Sequence, residues 1–359
     1  MSSRGKKKKE YRKQLLRQLL IEREQRLNQM EADLAREMEE ITTVYLDTNH
    51  WVNLRHCVLG SARAKAEYYE ILKLLERLIA QKRIVCPLSA PIFQELMKQS
   101  DEMTRRETAK LMDRLSGRTC LQFPLLLILS EWRHNVWQVM LHRKERCDFP
   151  VWTKAGFWAG QQLVLKDVEF WSVRNVSDID RWIDNMWSRG FEQLQAMPGH
   201  EHDPPELIAS FIEEINNVTA RSKAKTKSFE ENCKAERLGL LNSLKEEFFN
   251  EPLPMKGIPP IEIFTSFVDG DNDWTLASLQ VFAKIASAIV QSNRKTEEHD
   301  MYDFLHAAGA LVYCDVFFCD NPMANFFVSK PLEFNKVYKT IIVSRPVEII
   351  DYLKGLICE

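Results

Sequence analysis

Four short apolar runs limit what this chain can fold into: "VYL" at 44–46, "IVC" at 84–86, "VFFC" at 316–319 and "TIIV" at 340–343. Each is too short for a buried helix, and each is followed by a segment of helical periodicity, such as "AEYYEILKLLERLIAQ" or "SRPVEIIDYL". Strand-like runs alternating with amphipathic helices predict an α/β fold, in which a parallel sheet is joined by crossover helices. The first two runs are separated from the last two by more than two hundred residues, so the sheet is assembled from two distant halves of the chain.

The intervening sequence has a different texture. Residues 1–40 read as an N-terminal amphipathic helix with a basic tail, "GKKKKE", and with Leu16, Leu20, Leu27, Met30, Leu34, Met38 and Ile41 at three- and four-residue steps. Arg23 and Glu37 fall where a heptad needs apolar residues, so packing on the body of the protein competes with a coiled coil. Residues 41–98 form the first half of the α/β domain and 251–359 the second. Between them, 99–250 read as a mostly helical insertion holding seven of the nine tryptophans. Those tryptophans suit a core better than a base-stacking surface. Within the insertion, Lys223, Lys225 and Lys227 in "RSKAKTK" are candidate nucleic-acid contacts, with a solvated helix face as the alternative.

Composition narrows the class further. With 49 Lys+Arg against 51 Asp+Glu, net charge neither demands nor excludes nucleic acid, and only local patches can decide. Eight cysteines without a CxxC pair fit reduced thiols in a cytoplasmic protein. The longest apolar runs, such as "LLLIL" at 125–129, cannot span a bilayer, so no membrane contact is expected. Association with a protein partner or with a second copy falls to the N-terminal helix or the insertion.

The chemistry is concentrated in acidic residues. In an open parallel sheet, residues closing a strand line the crevice at its carboxyl edge. Asp47 closes "VYL" and Asp320 closes "VFFC". Glu95 lies one to two turns into the helix after "IVC", with Ser89 placed as its N-cap. Asp303 sits early in "DMYDFLHAAGALVY", sharing one side of that helix with Asp300 and His306. Capping accounts for Asp300 more readily than for Asp303. His306 reads either as a phosphate or proton-transfer group or as a histidine packed on the sheet. Asp315 precedes its strand and belongs at the opposite edge. Carboxylates gathered in one crevice repel and raise each other's pKa unless a cation sits between them, and all-oxygen ligands suit Mg²⁺ or Mn²⁺.

"VYLDTNHW", "PLSAPIFQEL" and "YDFLHAAGALVYCDVFFCDN", in this order, resemble the PIN-domain ribonucleases. That resemblance implies a three-layer fold of a parallel sheet flanked by helices. It also implies an endonuclease, acting on RNA with DNA not excluded, that hydrolyses phosphodiester bonds with Mg²⁺ or Mn²⁺. Asp47, Glu95, Asp303 and Asp320 take the acidic positions, as catalytic residues and metal ligands, and Thr48 and Asn49 shape the first loop. Phe318 and Cys319 stand where many relatives carry Thr or Ser before the last Asp. The competing expectation is an inactive PIN-like scaffold that binds RNA or protein. A dehalogenase-type phosphatase needs a second Asp where this chain has Asn49, and a Rossmann-type binder needs a glycine-rich loop that is missing after the first strand.

Overall fold

A computed structural model describes residues 21–22, 25–136, 151–157, 176–196, 228–245, 260–269, 275–292 and 297–358. The chain is mostly helical around a small parallel sheet. Strand β1 (Thr42–Leu46) pairs with β2 (Ile84–Val85) on one side and β5 (Val316–Phe318) on the other, and β5 pairs with β6 (Ile341–Val343). The order β2-β1-β5-β6 therefore joins the two distant halves at its centre, through Val44–Val316, Tyr45–Phe317 and Leu46–Phe318. These central strands are buried on both faces, which is why they read as continuous apolar runs rather than as an alternation.

Helices follow the expected pattern. Helix α1 (25–39) precedes β1. Helices α2 (Thr48–Val58) and α3 (Ala66–Ala80) lie between β1 and β2, and α4 (Ala90–Met97) and α5 (Glu102–Ser116) follow β2. Helix α3 buries Tyr68, Ile71, Leu74, Leu75 and Leu78, one stripe at three- and four-residue steps. Each such side chain contributes roughly 1.5–3 kcal/mol on burial.

Packing runs on without a break past residue 98. Helix α5 packs on α2, α3 and α4, and the chain then enters β3 (Thr119–Leu121), which was not expected within a helical insertion. The backbone of Leu88 donates to Thr119 O at 2.9 Å and accepts from Leu121 N at 2.8 Å, a parallel bridge that attaches β3 beyond β2. On its other edge β3 pairs antiparallel with β4 (Trp152–Lys154).

The described remainder of the insertion comprises α6 (Pro124–Asn135), α7 (Val176–Ser188), α8 (Phe191–Leu194) and α9 (Phe229–Ser243). Helix α6 ties it to the second half: Glu131 accepts from Ser278 N at 2.9 Å and from the Tyr313 hydroxyl. That half adds α10 (Pro260–Asp269), α11 (Ala277–Gln291) and α12 (Glu298–Tyr313) before β5, then α13 (Asn321–Val328), α14 (Phe334–Val337) and, after β6, α15 (Pro346–Cys358). Trp132 and Trp152 are buried, as core tryptophans should be.

Helix α1 packs on the protein itself. Leu27 is enclosed by Phe157, Ile183 and Met186, while Leu34 and Met38 join the main core. Arg26 meets Asp184 at 2.7 Å. The described cysteines are free thiols, and among the described residues no helix is long and apolar enough to cross a membrane.

Candidate functional site

The parallel register fixes the first pair of carboxylates. Because Leu46 and Phe318 are partners, β1 and β5 end side by side, and Asp47 N donates to Phe318 O at 3.0 Å. Asp47 is the N-cap of α2, its Oδ1 accepting from His50 N at 3.0 Å, and Asp320 is the N-cap of α13, its Oδ1 accepting from Met323 N at 2.8 Å. A further bond joins them, from Asp320 N to Asp47 Oδ2 at 2.9 Å. Asp47 is only 4% exposed, with both oxygens taken by backbone donors.

Glu95 and Asp303 arrive from helices. A helix following a parallel strand starts at the sheet's carboxyl edge, and a helix preceding one must also start there, so the early turns of α4 and α12 share that edge with Asp47 and Asp320. Glu95 Oε2 accepts from the Thr48 hydroxyl and from His306 Nε2 at 2.8 Å. Thr48 and Asn49 thus form the first turn of α2 rather than a loop. Asn49 is exposed and bonds Asn53, away from the carboxylates.

The four acids are electrostatic neighbours. Burial, with the nearby charges of Glu95, Asp320 and Asp47, pushes the Asp303 carboxyl up to about 7, against an attraction to His306. Burial likewise raises Asp47, opposed by His50 and His306 and reinforced by Asp320. Glu95 behaves oppositely: burial alone would raise it, but the bond and charge of His306 and the Thr48 hydroxyl bring it below the usual carboxylate range.

Behind these acids Tyr45, which the sequence reading did not single out, links Ser89 to His306. His306 is 2% exposed, and its Nδ1 lies 2.6 Å from the Tyr45 hydroxyl, which lies 2.5 Å from Ser89 Oγ. The chain Ser89–Tyr45–His306–Glu95–Thr48 is continuous. Ser89 stands at the N-cap of α4 but turns its hydroxyl to Tyr45 and makes no capping bond. His306 combines both readings of it, being packed on the sheet and bonded to an acid of the cluster. His50, beside Asp47, bonds Tyr68 at 3.0 Å.

Asp300 accepts from Glu297 N at 2.8 Å in the capping box of α12. Asp315 lies at the opposite edge of the sheet, accepting from Thr43 N and Oγ1, each at 2.8 Å. Burial and the three neighbouring aspartates hold the Cys319 thiol well above its ordinary value, so it is a protonated packing group. Lys223, Lys225 and Lys227 lie outside the described residues, as does the basic tail.

The donor set is all oxygen. Among the described residues Asp303 has neither a hydrogen bond nor an ion pair, and Asp320 Oδ2 and Glu95 Oε1 have no hydrogen-bond partner. Those free oxygens, beside a carboxyl whose ionisation is resisted by burial and by neighbouring acids, suit a hard divalent ion. Among the described residues, however, no group of three or more His, Cys, Asp or Glu side chains is arranged to hold a metal ion. Comparisons with protein-family models, with characterised proteins and with solved structures gave no match to this chain.

Proposed function

We propose that this chain is a metal-dependent endonuclease of PIN-like architecture that hydrolyses phosphodiester bonds, with RNA as its substrate class. One observation carries the reading. Asp47, Glu95, Asp303 and Asp320, from four elements and two distant halves of the chain, are electrostatic neighbours at the carboxyl edge of one parallel sheet. Helices packed around that sheet fit the three-layer arrangement the resemblance implies.

Asp303, Asp320 and Glu95 would supply the ligand oxygens, and Asp47 would hold the Asp320 backbone in place while adding its own charge. A bound Mg²⁺ or Mn²⁺ would activate water and stabilise the leaving oxygen. Thr48 and His306 fix the direction of Glu95 by occupying Oε2, so Oε1 is the oxygen left to face substrate. Ionised Asp303, three residues before His306 on α12, would orient water or accept its proton.

The scaffold alternative also has an observation in its favour, because Asp47 and Asp320 both perform backbone capping that a fold could need without catalysis. One experiment separates the readings: purified protein is incubated with labelled single-stranded RNA and DNA in Mn²⁺, Mg²⁺ or EDTA. Cleavage that needs the metal supports the nuclease; binding without cleavage under every condition leaves the scaffold.

A further inference from the structure

At the far end of α2 from Asp47 the charge pattern reverses. Arg55, in the last turn of that helix, is a buried residue, 9% exposed. Its Nη1 donates to Gln99 Oε1 at 3.0 Å, its Nη2 lies 3.5 Å from His56 Nε2, and its Nε is buried with no partner. His56 is the next residue, and exposed Arg63 lies near enough for its charge to act on both. Among the described residues no carboxylate pairs with any of the three. Arg105 shares Gln99 with Arg55, donating to the Gln99 carbonyl at 2.9 Å and to Gln195 Oε1 at 2.9 Å, and its charge acts on exposed Asp101.

A buried arginine without an acid is costly to hold, and a second arginine nearby adds repulsion. Burial, then the charge of Arg63, lowers Arg55, and burial, then the two arginines, lowers His56; no anion offsets either. The carboxyl end of α2 supplies roughly half a negative charge, less than the two arginines bring. An anion would offset these charges, and guanidinium forks suit the tetrahedral oxygens of a phosphate.

We infer that Arg55, His56 and Arg63 form a binding site for a phosphate group at the carboxyl end of α2. The site needs no metal and stands apart from the acidic cluster. Arg55 lies eight positions beyond Asp47, about 12 Å along the helix axis. The phosphate belongs either to a nucleic-acid backbone or to free phosphate and phosphorylated small molecules.

The test is isothermal titration of the full chain with inorganic phosphate in EDTA, at constant ionic strength, with chloride as control. Wild type should bind phosphate saturably, and Arg63→Gln, an exposed change, should weaken binding tenfold or more. Arg55→Met should do the same where circular dichroism shows it folded; if it does not fold, Arg63→Gln and His56→Asn carry the test. A single-stranded oligonucleotide distinguishes the sources. If phosphate competes with it and Arg63→Gln weakens it, the ligand is a nucleic-acid backbone. If its binding is indifferent while phosphate binding falls, the ligand is a free phosphate or a phosphorylated small molecule. Absence of saturable phosphate binding above the chloride control, or unchanged affinity in folded variants, would overturn the assignment.

Discussion

Asp47 Oδ2 accepts the backbone N–H of Asp320 at 2.9 Å, so the residue closing one central strand positions the residue closing its neighbour. The two carboxylates repel, yet one serves the other's backbone. Asp47→Asn retains one acceptor oxygen and turns an amide N–H₂ toward a backbone donor. We expect this variant to lose about 1–3 kcal/mol in metal-free urea unfolding, although the change removes a repelled charge. Unchanged or greater stability would show that repulsion outweighs the two bonds.

Asp303 should behave in the opposite way, since it has no hydrogen bond to lose. A carboxyl raised to about 7 adds stability below its ordinary value of 3.8 and loses it as pH rises through 7. Asp303→Asn removes that loss. The variant should melt above wild type at pH 8, by an amount bounded near 4 kcal/mol, and the gap should close toward pH 4. Parallel melting curves across that range would rule out a strained Asp303.

The Glu95–His306 bond has its own pH window. Burial alone would raise Glu95 and lower His306, and their pairing reverses both. Stability from Glu95 is present above its ordinary 4.5 and fades as pH falls through its lowered value. That from His306 is present below 6.5 and fades as pH rises through its raised value. A double-mutant cycle with Glu95→Gln and His306→Gln should give its largest coupling between about pH 4.5 and 6.5, and less at pH 9. Coupling independent of pH would mean that the bond is made by neutral groups.

Catalysis separates the nuclease from the scaffold most sharply. Losing a ligand carboxylate removes several kcal/mol of transition-state stabilisation, and each 1.4 kcal/mol is about tenfold in rate. Asp303→Asn and Asp320→Ala should each slow metal-dependent RNA cleavage by roughly a hundredfold or more. Binding of uncut RNA in EDTA should be unchanged or tighter, because negative charge is removed. Single-turnover rates and filter binding read the two effects separately, and a rate within threefold of wild type would take that residue out of the chemistry.

The parts of this architecture that were legible in the sequence are those with a local signal. A carboxylate closing an apolar run marks Asp47 and Asp320, and helical periodicity marks α3, α11 and α12. Tyr45 carries no such mark, because a tyrosine inside a buried strand looks like core until its hydroxyl meets His306, 261 residues away. Ser89 is legible as the N-cap residue of α4, but not its bond to the Tyr45 hydroxyl, which replaces the capping bond. Strands β3 and β4 were invisible because each has three residues and takes its partner from beyond thirty residues of intervening chain. The Arg55 group leaves no distinct signal in the sequence, because basic residues ending a helix look like ordinary dipole partners.

The β3–β4 pair also bears on how such a chain can change over time. Residues 122–151 leave from β3 and return on β4, and the two strands are hydrogen-bonded side by side where the excursion begins and ends. Leu88 fastens that closed base to the sheet. With the ends pinned together and α6 held by the second half, length added beyond α6 costs closure entropy of about 0.6 kcal/mol for each doubling. Segments of very different size can therefore be accommodated there while the strand ends carrying Asp47 and Asp320 keep their places.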